Sequence, residues 1–264
     1  MDLKERSTNI RKNILRIANS SKGPHVGTAL SSVDILTTLY FKVLKIEDFN
    51  DENRDIFIMS KGHGAMALYA TLYEKGYLSK EELSSYYQNG GSLPAHLDMT
   101  TNPAIEVSSG SLGHGLPQAL GFAYSKKLKN LTSKVYVLMG DGEVQEGSVW
   151  EAAMLAPKMK LNNLIAIVDR NDLQGYGKPS DLVSFESIED KFKSFNWNVT
   201  RIDGHDFKEI ETALNNESDK PKVIICDTTK GKGISFMENE LKWHYFIVTD
   251  EILQQGLNEL EHSL

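Results

Sequence analysis

Apolar and polar positions along the chain fall into two alternating patterns. Short apolar runs rich in β-branched residues, each bounded by glycine or charge, occur at DIFIMS (55–60), KVYVLMG (134–140), NLIAIVDR (163–170), NVTRIDG (198–204) and KVIICDT (222–228). Between them, EGSVWEAAMLAPKM (146–159) and FKEIETALNNE (207–217) space their apolar residues three and four apart, as amphipathic helices do. Strand-like runs alternating with helical patterns predict parallel strands joined by crossover helices. LIAIV and VIIC are apolar without alternation, as expected of strands covered by helices on both faces. The expected class is therefore α/β, a doubly wound, mostly parallel sheet with helices on both faces. The opening stretch LKERSTNIRKNILRIANS (3–20) predicts a helix with Leu3, Ile10, Ile14, Ile17 and Ala18 along one stripe, packed over an edge of the sheet. TDEILQQGLNEL (249–260) predicts a closing helix. No internal repeat, low-complexity tract or long linker interrupts the pattern, so residues 1–264 are expected to form one domain.

Composition narrows the functional classes. A chain of 264 residues, 40% apolar, can bury a large core but fits no more than one or two compact domains. Its formal net charge is -7, with acids and bases interspersed, which leaves no basic stripe for nucleic acid and no polybasic anchor for a membrane surface. The single cysteine, Cys226, lies in the apolar run VIICD, so it reads as a small core residue in a reducing compartment rather than part of a disulfide framework. No apolar stretch approaches a bilayer-spanning length, and the start MDLKERSTNIRKN is too polar for a signal peptide. The expected location is cytoplasmic.

In open parallel sheets, ligands bind beyond the carboxyl ends of the strands. Gly140-Asp141-Gly142 falls at such an end. The flanking glycines let the backbone approach a bulky anion, and the carboxylate offers oxygen to a hard cation. The next run ends in Asp169, Arg170 and Asn171, so the Asn171 carboxamide and the Leu173 carbonyl would emerge beside Asp141 if the two strands are neighbours. Magnesium takes only a few protein oxygens and completes its octahedron with phosphate and water, so this set lacks only a diphosphate.

A GDG at one strand end with an asparagine about thirty residues later resembles the magnesium and diphosphate motif of thiamine diphosphate enzymes. Nearly the whole chain, from ANSSKGPHVGTALSSVDIL to GKGISFMENELKWHY, resembles the amino-terminal, cofactor-diphosphate half of a transketolase. SKGHGAMALYA, SSGSLGHGLPQALGFA, GDGEVQEGSVWEAAMLA, DRNDLQGYG and DGHDF follow in the order of that family. The resemblance implies thiamine diphosphate as cofactor, with Mg2+ or another divalent ion such as Ca2+ or Mn2+. It implies Asp141, Asn171 and the Leu173 carbonyl as metal ligands. Gly140, Asp141, Gly142, Glu143 and Asn171 would contact the diphosphate, and Gly110, Ser111 and Leu112 would lie against the cofactor's rings. His25, His63, His96 and His244 match the family's channel histidines, and His63 and His244 would also touch the cofactor. Glu146 would be a structural link near the contact between subunits.

Histidines also suit the chemistry, since sugar cleavage needs hydrogen-bond donors near developing alkoxides and groups that trade protons near neutral pH. His114 stands where many transketolases have glutamine, so the resemblance assigns it no contact. His205, between a strand and the helix starting near Asp206, reads as structural.

By the resemblance, the glutamate that activates thiamine diphosphate belongs to a pyrimidine-binding domain that this sequence does not contain. A separate partner chain, the carboxy-terminal transketolase subunit, is therefore expected to supply it, pairing as a heterodimer and doubling to α2β2. The implied reaction is transfer of a two-carbon ketol unit from a ketose to an aldose, with sugars or sugar phosphates as substrates. Two alternatives stand beside it: a related chain handling another acyl donor, and a non-catalytic cofactor-binding chain.

Overall fold

A computed structural model of the chain describes residues 1–184 and 187–262. Helix α1 (Leu3–Ser21) leads through α2 (Val26–Ser31) and α3 (Val33–Thr38) to strand β1 (Ile56–Met59), followed by α4 (Ala65–Lys75) and α5 (Lys80–Ser84). A long irregular stretch precedes α6 (Gly115–Leu128), β2 (Val135–Gly140), α7 (Gly147–Lys158) and β3 (Leu164–Arg170). The chain closes with α8 (Pro179–Leu182), α9 (Ile188–Ser194), β4 (Asn198–Asp203), α10 (Phe207–Asn215), β5 (Lys222–Asp227) and α11 (Asp250–His262).

The strands form one five-stranded sheet in the order β1-β2-β3-β5-β4, and every pairing is parallel. Each apolar run divides its side chains between two cores because successive residues point to opposite faces. Val135, Val137 and Met139 of β2, with Leu164, Ala166 and Val168 of β3, pack with residues of α6, α7 and α9. Tyr136, Leu138, Ile165, Ile167, Ile224 and Cys226 face the opposite core, which α1 to α4, α10 and α11 complete. The absence of alternation in LIAIV and VIIC thus reflects burial on both sides. Cys226 is fully buried there.

Local chemistry sets the helix starts. Asp2 and Glu5 form a reciprocal capping box on α1, and the Asp206 carboxylate accepts from the N–H groups of Lys208 and Glu209 at the head of α10. The expectation that α1 lies over a sheet edge is corrected: it packs on α4, α11, α3 and α2. The reason is that α4 is buried continuously from Ala65 to Leu72. A helix apolar on all sides needs a second layer over it, and the stripe of Ile10, Ile14 and Ile17 supplies that layer. Among the described residues no helix is long and apolar enough to cross a membrane.

Candidate functional site

Neighbouring of β2 and β3 is what brings the two tips together. Gly140 stands in register with Asp169, so the chain segments leaving both strands meet beyond the carboxyl edge. The Asp141 side chain is 3% exposed; its Oδ1 accepts from Gly142 N–H at 2.7 Å, and its Oδ2 from the N–H groups of Asn171 (3.1 Å) and Asp172 (2.7 Å). Asn171 Oδ1 in turn accepts from Leu173 N–H at 3.2 Å. Burial, and then the neighbouring Asp169 carboxylate, push the Asp141 carboxyl up to about 6.

Asp169 itself is handled differently. Burial alone would raise it, but the Lys61 ammonium and hydrogen bonds from Lys61, Ser31 and Thr228 hold it below the usual carboxylate range. Lys61 also donates to the Thr28 carbonyl and hydroxyl, at 3.1 and 3.2 Å. A second buried lysine, Lys230, donates to the Leu173 carbonyl at 2.8 Å and lies 3.2 Å from His244 Nδ1. Its ammonium is brought down to about 8, chiefly by burial.

A cavity of about 190 Å³ opens over these groups. Gly140, Asp141, Gly142, Glu143, Asn171 and Leu173 line its floor, and Leu112, His63 and His244 line its walls. The four histidines singled out from the sequence gather around His25, whose ring lies 5.3 Å from that of His63, 6.1 Å from His96 and 5.1 Å from His244. His25 adopts a left-handed backbone, φ 75°, at the head of α2, and its N–H donates to the His244 carbonyl at 3.0 Å, which pins the two segments together. Burial lowers His25 to about 4, with His96 and Lys230 adding to the effect, and lowers His244 to about 3, with Lys230, His25 and Lys61 adding. His63 is likewise driven well below its ordinary value, first by burial. All three rings are neutral at pH 7 and able to accept one hydrogen bond and donate another.

The loop carrying Gly110 to Leu112 is tied to this floor by Glu143. Its carboxylate accepts from Gly113 N–H (2.9 Å), Gly140 N–H (3.1 Å) and Ser60 Oγ, and Ser60 Oγ accepts from Gly115 N–H at 3.0 Å. Burial raises the Glu143 carboxyl. Gly110, at φ 149°, is where only glycine is at ease, and a Cβ there would lie 3.2 Å from the His96 ring. Ser111 is exposed and does not line the cavity. His114 is exposed too, its Nδ1 3.2 Å from the Leu112 carbonyl, outside the histidine cluster. Both ring nitrogens of His205 are engaged elsewhere, with Asp34 at 2.8 Å and with the N–H of Thr229, which donates at 2.8 Å. Glu146 is exposed at the start of α7.

Sequence reasoning missed Lys61, Lys230, Thr28, Gln174 and Tyr245. A signal existed for the lysines, since each comes within two residues of a strand run and has a glycine beside it, but burial of an ammonium is decided only by the surrounding fold. Among the described residues no three His, Cys, Asp or Glu side chains gather to hold a metal. A cation at the Asp141 tip would therefore rest on one carboxylate, one carboxamide and a main-chain oxygen, and would need further oxygens from a ligand. An aspartate of raised pKa, hydrogen-bonded only by backbone N–H groups, fits that demand.

Comparison with known proteins agrees with this geometry. Residues 4–256 match the transketolase family's thiamine diphosphate binding domain. The chain belongs to the transketolase family, in its thiamine diphosphate-binding part. One of the two subunits of an apulose-4-phosphate transketolase from Actinobacillus succinogenes is 40% identical over 265 residues, spanning 98% of this chain and 96% of the relative. The SqwG subunit of a 6-deoxy-6-sulfo-D-fructose transketolase from Clostridium sp. is 39% identical, spanning 99% and 97%. The crystal structure of transketolase from Campylobacter jejuni superposes with a TM-score of 0.92 at 32% identity, covering 99% of this chain and 43% of that one. The chain thus matches nearly the full length of some relatives and less than half the length of the Campylobacter enzyme.

Proposed function

We propose that this chain is the amino-terminal subunit of a two-chain transketolase, one thiamine diphosphate-binding domain that transfers a two-carbon ketol unit from a ketose to an aldose only when a carboxy-terminal partner completes the site. The observation that carries this reading is the cavity in which the Asp141, Asn171 and Leu173 oxygens face His63 and His244. The names of the relatives, which mark them as subunits, support a partner chain, and their printed substrates support sugar phosphates or similarly anionic sugars as the class handled.

Asp141 Oδ, Asn171 Oδ1 and the Leu173 carbonyl hold Mg2+, and the backbone from Gly140 to Glu143 lies against the diphosphate. Lys230 adds positive charge beside the Leu173 carbonyl, where an incoming anion would be stabilised. Glu143 fixes the loop from Gly110 to Leu112 relative to that floor. Thiamine diphosphate, when bound, supplies the electron sink that makes cleavage beside a ketose carbonyl feasible. His25, His63, His96 and His244 bind and orient the sugar hydroxyl and carbonyl oxygens, and a neutral imidazole can take a hydroxyl proton at its free nitrogen and return it. The glutamate that activates the cofactor comes from the partner, and two heterodimers assemble as α2β2. A reducing, cytoplasmic compartment suits a chain whose one cysteine is a buried free thiol.

The test is reconstitution. Ketol transfer should be absent from each chain on its own and present in the mixture with thiamine diphosphate and Mg2+, and Asp141→Ala should abolish it. Calorimetry on the mixture that detects no magnesium-dependent uptake of thiamine diphosphate would sink the proposal.

A further inference from the structure

Tyr245 stands apart from the other aromatic residues of this chain. It lines the cavity, its ring lies 4.6 Å from that of His244 at 65° and 6.4 Å from that of His25, and yet the residue is 54% exposed. Its hydroxyl approaches the opposite wall so closely that a Cβ on Gly175 would lie 2.6 Å from it. The phenol therefore bridges the segment carrying His244 and the loop that follows Leu173. The Tyr245 side of this bridge is anchored: the His244 carbonyl accepts from His25 N–H, and Tyr245 N–H donates to the Lys242 carbonyl at 3.1 Å. Tyr176, 83% exposed, continues the same aromatic rim.

Charge at this wall is scarce. Among the described residues lining the cavity, Lys230 is the one lysine or arginine, and its ammonium is turned inward to the Leu173 carbonyl and His244. The outer wall on this side reads its ligand by shape and by contact with C–H groups, which an aromatic face accommodates.

We propose that Tyr245 is a specificity-determining residue, whose ring limits the carbon skeleton beyond the reacting carbons that can reach the histidines. The ligand class is the polyhydroxylated chain of an aldose acceptor or ketose donor, and the inference rests on the transketolase reading above. Removing the ring opens the wall toward Gly175, so longer or branched sugars gain access, while short acceptors, which end before the wall, are little affected.

The experiment uses the reconstituted two-chain enzyme and compares kcat/KM for glycolaldehyde with that for erythrose and ribose. Tyr245→Ala should shift the ratio toward the longer acceptors by about tenfold, the discrimination that one apolar contact provides, and chiefly through KM. Tyr245→Phe keeps the ring and should keep the ratio. Gly175→Ala must displace the phenol and should shift the ratio in the same direction by less. An equal change for all acceptors in Tyr245→Ala, or a loss traced by native mass measurement to weaker pairing of the two chains, would overturn the proposal. Absence of transfer in the wild-type mixture would instead sink the transketolase reading itself.

Discussion

At the amino end of the sheet, buried charge is closed in on itself. Lys126 donates to the carbonyls of Glu52 (3.0 Å) and Arg54 (2.7 Å) and to Ser133 Oγ (2.8 Å), and Lys222 donates to the carbonyls of Ala213, Leu214 and Asn216. Asp55 accepts from the N–H groups of Lys45 and Lys134. At the carboxyl end the same sheet holds groups away from their preferred protonation: Asp141 is pushed up to about 6, and His25 and His244 down to about 4 and about 3. One end is satisfied by its own chain. The other is assembled around groups whose compensation comes from a ligand, as functional sites commonly are.

Breaking the one tight ion pair at the carboxyl end should have the largest effect. Lys61→Met leaves the Asp169 carboxylate buried without its counter-ion, and the chain should lose about 3–5 kcal/mol in denaturant unfolding. Asp141→Asn tests the destabilised carboxylate. Thiamine diphosphate affinity in the presence of Mg2+ should fall by at least about a hundredfold in calorimetry with the partner, since even outer-shell changes at metal sites reach that size. The ligand-free variant should nevertheless melt higher at pH 7 than the parent. A shift from 3.8 to about 6 means ionisation of Asp141 costs about 3 kcal/mol in the fold, against about 1 kcal/mol for the hydrogen bond that the amide forfeits.

The contrasting substitution at the other end is Lys126→Met, which orphans the Glu52 and Arg54 carbonyls. It should cost about 1–3 kcal/mol of stability and leave cofactor affinity unchanged. A change in affinity there would erase the distinction between the two ends. The smallest effect is in the pH profile. His25 and His244 resist protonation in the fold but protonate near 6.5 when unfolded, so between pH 6.5 and about 4 the unfolded chain takes up protons that the folded chain refuses. Stability should therefore fall as pH drops through that window, by less than about 1.4 kcal/mol per pH unit for each histidine, and His25→Gln should flatten the slope.

Much of this contrast is legible in the residues alone. GDG at the end of KVYVLMG and Asn171 after NLIAIVDR mark the floor of the cavity, and the glycine- and proline-containing surroundings of His25, His63 and His96 mark its walls. Lys61 and Lys230 are not legible, because lysine is ordinarily a surface residue and its burial depends on partners from distant segments: Asp169 for one, the Leu173 carbonyl for the other. Tyr245 is hidden for a related reason. A tyrosine in the segment ahead of a closing helix reads the same whether it fills a core or rims a cavity.

Periodicity alone determined the class of the fold, since residues buried on both faces of a strand must be apolar at every position, and helices that cover them must repeat every three to four. What the tertiary structure decided was adjacency. Nothing in the order of the runs says that β5 inserts between β3 and β4, that α1 covers α4 instead of a sheet edge, or that four histidines spread from residue 25 to residue 244 gather in one cluster. Those outcomes depend on long-range packing and on which buried charge finds which partner, and such contacts leave no local trace in the pattern of residues.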